Sequence, residues 1–223
     1  MKIKKLLFIL LLFYGHSVFA YVSGADRYEI SVGGDVPFYT GAQVRYNWST
    51  QYYTKLSGGF AIELFIDGNE KLLQEFGFSK NTKILMAALV NSVVFDLRVG
   101  WAKSIYEGPY LELGYGVMLW GKGEVTGQQI NSTIGSASDL SDSHIYRMDI
   151  VNHGPNFHIG YRFILVDKMT LNMDLGIYKP LFSNTELNYG DIAVPVGESK
   201  KVDDLLISDV FFLSMGIWFG LSF

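Results

Sequence analysis

A chain of 223 residues that is 49% hydrophobic and 15% aromatic, with no cysteine, must be held together by its own packing and hydrogen bonds, because no disulfide framework is available to it. Its 22 acidic residues outnumber the 18 basic ones, which excludes the basic surface a nucleic-acid binder needs. Past the amino-terminal segment no run of about 18 apolar residues occurs, so a helical membrane protein is excluded as well.

Residues 1–20 carry Lys2, Lys4 and Lys5, then an apolar run over 6–14, then Val18 and Ala20 ahead of a cleavage point. This is the pattern of a secretory signal peptide removed after Ala20. The apolar run is too short to cross roughly 30 Å of hydrocarbon as a helix, and no cysteine is present to make a lipoprotein. Cleavage leaves one domain, residues 21–223, with 15 basic and 22 acidic residues and a net charge of −7.

Period-two alternation then recurs along the chain. It runs through Tyr28-Glu29-Ile30-Ser31-Val32-Gly33 and Ala42-Gln43-Val44-Arg45-Tyr46-Asn47-Trp48, more weakly through 52–60, and through 93–101 around Phe95-Asp96-Leu97-Arg98. Residues 111–119, 157–163 and 169–177 repeat it, with Glu112, His158, Arg162 and Asp174 opposite the apolar positions. The last segment, 211–223, sets Phe211, Leu213, Met215, Ile217, Phe219, Leu221 and Phe223 on one face against Ser214, Gly216, Trp218, Gly220 and Ser222. The pattern predicts about eight strands, each near the length a tilted strand needs to cross a bilayer. The fold class expected is all-β, a transmembrane antiparallel up-and-down barrel whose outer face takes up the apolar residues.

The connections support this by alternating in length. Those at 48–52, 103–108 and 166–168 are short turns, whereas 67–83, 121–149 and 182–208 are long and polar; the first outer loop, 35–40, is short. With both termini on the periplasmic side, every long connection falls outside, as in outer-membrane barrels. Residues 69–77 read as a capped short helix ending at Gly77. A ten-stranded count is reached if 62–65 and 85–90 pair separately, and Pro155 predicts a bulge near the start of its strand.

The alternating Met215, Ile217, Phe219, Leu221 and terminal Phe223 resemble the signal by which outer-membrane proteins are recognised for barrel assembly. Together with the dyad repeat, the mature chain resembles the small OmpA-like and OmpX-like barrels as a class. That resemblance implies integral residence in a bacterial outer membrane, transient contact with the assembly machinery, lipid and lipopolysaccharide as partners, and a monomer.

Inside such a barrel the alternation places Glu29, Arg45, Lys55, Asp96, Arg98, Glu112, Arg162 and Asp174, four acids and four bases, together with His158. Isolated buried charges cost several kcal/mol each, so a balanced set predicts ion pairs across the lumen. About eight strands leave room only for side chains to fill the interior. The function expected is therefore a structural or surface-interaction scaffold, for adhesion or envelope integrity, acting through its outer loops. A narrow, porin-like channel past Arg45, Arg98 and Arg162 is the alternative, and a soluble lipocalin-like barrel with a greasy interior is the third reading. No cofactor, metal or catalytic site is expected. His144, His153 and His158 are the candidate bases, and no fixed-spacing triad accompanies them. The acids Asp139, Asp142, Asp149, Glu186, Asp191, Glu198, Asp203 and Asp204 lack the spacing of a calcium loop and read as a solvated face. Tyr28, Trp48, Tyr52 and Phe223 are expected in an inner aromatic girdle, and Phe38, Tyr39, Phe60, Trp120 and Tyr178 in an outer one.

Overall fold

The computed structural model describes residues 27–36, 38–61, 90–134, 140–166, 168–208 and 211–223. The expected signal segment, the connection 67–83 with its helix over 69–77, and the stretches 62–65 and, save Val90, 85–90 lie outside these residues. Ten strands occur among the described residues: β1 Tyr28–Val36, β2 Tyr39–Asn47, β3 Tyr52–Phe60, β4 Val93–Ala102, β5 Gly108–Thr126, β6 Ile145–Val166, β7 Met169–Tyr178, β8 Phe182–Tyr189, β9 Ile192–Ala193 and β10 Phe212–Ser222. Two helices accompany them, α1 Gly127–Ile134 and α2 Val196–Ser208.

Eight strands close a barrel. Consecutive strands β1 to β7 pair antiparallel, β7 pairs β10, and β10 pairs β1. Closure leaves no barrel edge with unpaired backbone, the condition a sheet must meet in hydrocarbon. The alternation seen in the sequence becomes an inside and an outside. Ile30, Val32, Leu56, Phe95, Leu97, Leu113 and Leu175 are exposed on the outer wall, while Glu29, Lys55, Asp96, Arg98, Glu112 and Asp174 are buried in the lumen. A soluble barrel with an apolar interior has the opposite arrangement. This is a transmembrane barrel.

The lumen is filled by setting large side chains against glycine. A Cβ on Gly160 would strike the ring of Tyr110, one on Gly100 the ring of Tyr53, and one on Gly176 the imidazole of His158. Each glycine is thus the socket for a large residue on a neighbouring strand, which lets a narrow barrel close over rings and guanidinium groups.

Two of the long connections are not loops. β5 continues to Thr126 and β6 starts at Ile145, so both ends of 121–149 are strand, with helix α1 between. The continuation begins where Trp120 takes a left-handed conformation, φ 56°, and the β5–β6 register shifts between Met118 and Gly121. Similarly, 182–208 folds as β8, β9 and α2. β8 extends the line of β7 and pairs β6 from His153–Phe182 to Arg147–Asn188. Pro155 makes no bulge: it pairs Tyr115 in continuous register, and it lies where β6 exchanges β8 for β7 as its partner.

Within this raised wall the polarity of the two faces reverses. On β6 the inward residues Tyr146, Met148 and Ile150 are apolar and buried, and the outward row brings in Arg147 and Asp149 beside exposed Ile145. Further along the same strand, inward Asn152, Asn156, His158 and Arg162 are polar and outward Phe157, Ile159 and Tyr161 are apolar and exposed. Val125 and Leu187 join the apolar interior of the raised part, against Val202 and Leu206 of α2. The switch near residues 151–153 is the change of outer face expected of a strand that passes from lipid to water.

The girdles follow the same boundary. Tyr28, Trp48, Tyr52 and Phe223 are exposed at the turn end, and Phe60 and Trp120 at the other, where Phe182 and Phe211 join them. Phe38, Tyr39 and Tyr178, expected in the outer girdle, are instead buried at 7%, 5% and 8% exposure. They point inward because each occupies an inward position of its strand or turn, and they cover the lumen.

Replacing Gly160 by valine should overpack the lumen against Tyr110, at a cost of about 1–3 kcal/mol. Heat-shift electrophoresis should show a lowered transition midpoint, with Leu113→Ala on the lipid face as a mild control.

Candidate functional site

The lumen core is built from one inward residue after another along neighbouring strands. Register sets Glu29 of β1 beside Arg45 of β2, Arg45 beside Lys55 of β3, and Lys55 beside Arg98 of β4. Three cations in one cross-strand row repel one another. They can stand together only if carboxylates approach from the rest of the wall.

The carboxylates do so. Lys55 Nζ lies 2.6 Å from Glu112 Oε2, and Arg98 Nη1 lies 3.2 Å from the same oxygen. Arg98 also ion-pairs with both Asp96 and Asp35. Its guanidinium therefore ties β4 to β1 and β5, and Nη1 lies 3.3 Å from His158 Nδ1 on β6. Arg162 pairs with Glu29, which also accepts from Asn172 Nδ2 at 2.9 Å. Arg45 lies over the ring of Tyr53, 3.5 Å from its centroid. His158 Nδ1 sits 2.7 Å from Asp174 Oδ1.

Neutral groups take up the remaining oxygens. Tyr53 donates to Glu112 Oε1 at 2.8 Å, Tyr110 to Asp174 Oδ2 at 2.9 Å, Trp218 Nε1 to Asp35 Oδ1 at 3.0 Å, and Asn156 Nδ2 to Asp96 Oδ1 at 2.8 Å. Asp35, Asp96 and His158 bring possible ligand atoms within 4.8 Å of one another. Such spacing would suit a metal ion. Here, however, both carboxylates already receive N–H groups from Arg98, Trp218 and Asn156, so the donor set is that of an ion-paired core.

All eight charged residues singled out in the sequence lie in this lumen, and so does His158. Asp35 was missed because 35–40 reads as a loop, although 29, 31, 33 and 35 share one parity and that parity could have placed it inside. Tyr53, Tyr110 and Trp218 were legible only as inward positions, not as hydrogen-bond donors.

Both ends of the lumen are covered. At the end bearing the raised wall, the rings of Phe38, Tyr178 and Phe212 meet with centroids 5.3–6.0 Å apart. The Tyr178 hydroxyl donates to Asn152 Oδ1 at 2.7 Å, fixing this lid to β6. At the turn end Ile105 is buried at 3% exposure, its amide donates to Thr50 O at 3.1 Å, and Arg162 Nε reaches the Tyr106 carbonyl at 3.2 Å. The turn after β4 thus folds inward over the mouth.

The other candidates are dispersed. His144 stacks on Tyr189 at 4.2 Å, and His153 stacks on Phe182 and bonds the Tyr115 hydroxyl at 2.5 Å. Ser143 Oγ lies 3.3 Å from Ser141 Oγ. Among the acids of the raised wall, Asp149 pairs with Arg147 at 3.4 Å and Glu198 with Lys201 at 2.7 Å, while Thr185 donates to Asp203 at 2.7 Å. On β10, Met215, Phe219 and Leu221 are exposed and Ile217 half-buried on the outer face, and the Phe223 ring lies 6.2 Å from that of Tyr28.

No protein-family model matches the sequence, and the search of curated proteins finds no match. Among solved structures, the crystal structure of a major outer membrane protein from Thermus thermophilus is similar over 88% of this chain and 99% of that chain, with 15% identity and a TM-score of 0.45.

Arg98→Leu should leave Asp35, Asp96 and Glu112 short of their shared cation and cost about 3–5 kcal/mol. A urea titration of the folded fraction should show this loss, and Arg98→Lys should recover only part of it, because an ammonium lacks the planar fork.

Proposed function

We propose that this protein is an integral bacterial outer-membrane barrel of the small OmpA-like and OmpX-like class, working as a monomeric scaffold that presents its raised β5–β6–β8 wall outside the cell. The observation that carries the reading is the reversal of polarity along β6, combined with a lumen covered at both ends. Below residues 151–153 the strand suits lipid, and above them it suits water, like the wall of a soluble domain. A built, water-facing wall is a surface for contact, in adhesion or envelope integrity, and a filled lumen is a poor conduit. Lipopolysaccharide is the partner that surrounds this wall, and the outward apolar residues of β10, with Phe223, are the segment offered to the assembly machinery. The paired lumen charges serve stability rather than chemistry. A pore would have to displace Phe38, Tyr178 and Phe212 at one end and Ile105 at the other.

Two measurements test this. In planar bilayers the purified protein should give no stepwise conductance; steady steps that fall on Arg98→Ala would establish transport instead. Because the chain has no cysteine, Ile192→Cys at the exposed tip of the raised wall should react with an impermeant maleimide on intact cells, while Trp48→Cys at the turn end should react only after lysis. The opposite labelling would overturn the orientation.

A further inference from the structure

The fixed charges of the lumen do not balance. The four acids and four bases read from the sequence cancel, but Asp35 joins them as a fifth buried carboxylate, and no further lysine or arginine is buried there among the described residues. Glu198, the remaining buried acid, lies on α2 in the raised wall and pairs with Lys201. With a neutral imidazole at His158, the closed lumen would hold one uncompensated negative charge, an arrangement that burial strongly disfavours.

The unmatched acid can be identified. Glu29 has Arg162, Glu112 has Lys55 and Arg98, and Asp35 and Asp96 share Arg98. Asp174 is the one carboxylate of the five that pairs with neither lysine nor arginine among the described residues. Its Oδ2 accepts from the Tyr110 hydroxyl, and its Oδ1 lies 2.7 Å from His158 Nδ1, with the two side chains 0% and 3% exposed. A carboxylate can only accept, so at that distance Nδ1 carries hydrogen and donates it. The Arg98 guanidinium, 3.3 Å from the same nitrogen, can only donate and finds no lone pair there. One ring proton is thereby placed, and the charge of the ring rests on whether Nε2 carries a second.

The groups around the ring bear on that. His158 stands directly opposite Glu112 of β5 and Gly176 of β7. Asp35 of β1 and Asp96 of β4 bring carboxylate oxygens within 4.8 Å of a ring nitrogen, and β10 contributes the uncharged hydroxyl of Ser214. Arg98 is the cation beside the ring, and it is already divided among three carboxylates; Lys55 of β3 is engaged by Glu112. Four carboxylates with Asp174 thus face the imidazole against one guanidinium, a field that favours a cationic ring.

We propose that His158 is an imidazolium, the fifth cation of the lumen, so that the His158–Asp174 pair is a proton-binding site whose occupant makes the buried core neutral. Removing that proton would return a net negative charge to a barrel covered at both ends. This goes beyond the scaffold reading, which sets no condition on the charge of the ring.

The test uses the full barrel, nitrogen-15-labelled, in detergent micelles and neutral buffer. Both ring nitrogens of His158, assigned through bonds from its own backbone, should carry hydrogen; one bare nitrogen would overturn the proposal. Stability supplies a second readout. His158→Gln keeps a donor but drops the charge, so it should lower the midpoint of the heat transition, and adding Asp174→Asn should restore part of the loss. An unchanged midpoint in His158→Gln would count against a charged ring. Should the variants fail to assemble, the wild-type nitrogen spectrum decides alone.

Discussion

Charged side chains in the middle of a membrane-spanning structure are tolerable only when each finds a partner, and in this barrel Arg98 is where that condition is met most densely. One guanidinium serves Asp35, Asp96 and Glu112 and lies beside His158, so β1, β4, β5 and β6 are joined through a single planar group. Arg45 and Lys55 stand beside it in the same cross-strand row, a clustering of like charge that the facing carboxylates make possible. Losing either side of this arrangement would leave charge without compensation in a place water reaches poorly. The glycines opposite Tyr53, Tyr110 and His158 belong to the same solution, since large polar side chains fit a narrow lumen only where the facing residue has no side chain.

The same physics, applied with water instead of lipid outside, explains the raised wall. Once β5 and β6 leave the hydrocarbon, an apolar outer face is no longer favourable. The strands then carry Lys122, Glu124 and Arg147 outward and Val125, Met148 and Ile150 inward. The apolar interior of this part is continuous with the lid formed by Phe38, Tyr178 and Phe212. The lid is therefore the floor of a small soluble-type core that rests on a polar lumen.

This reversal also determines how much of the molecule was legible from its sequence. Within the membrane the outward positions must be apolar and the dyad is strict, so the eight barrel strands and all of the lumen charges singled out could be placed from alternation alone. Beyond the boundary, residues such as Lys122, Gly123 and Glu124 resemble a solvated loop, because one face of the strand is polar and the apolar face alternates the other way. Asp35 was lost at the edge of a turn for a different reason: the short stretch 35–40 reads as a loop between two strands, while parity assigns residue 35 to the wall. Phe38, Tyr39 and Tyr178 were legible as aromatics near strand ends, but whether a ring faces lipid or lumen depends on parity at the last residue of a strand, where the register is least constrained.

The inside-out arrangement can be measured with the four native tryptophans. Single-tryptophan variants reconstituted in bilayers containing brominated lipid should show strong quenching of Trp120 and Trp48, which stand exposed at the two girdles, and little quenching of Trp218, which is fully buried against Asp35 in the lumen. Quenching of Trp218 as strong as that of Trp120, or no quenching of either, would contradict a barrel with its apolar face in lipid and its charges inside.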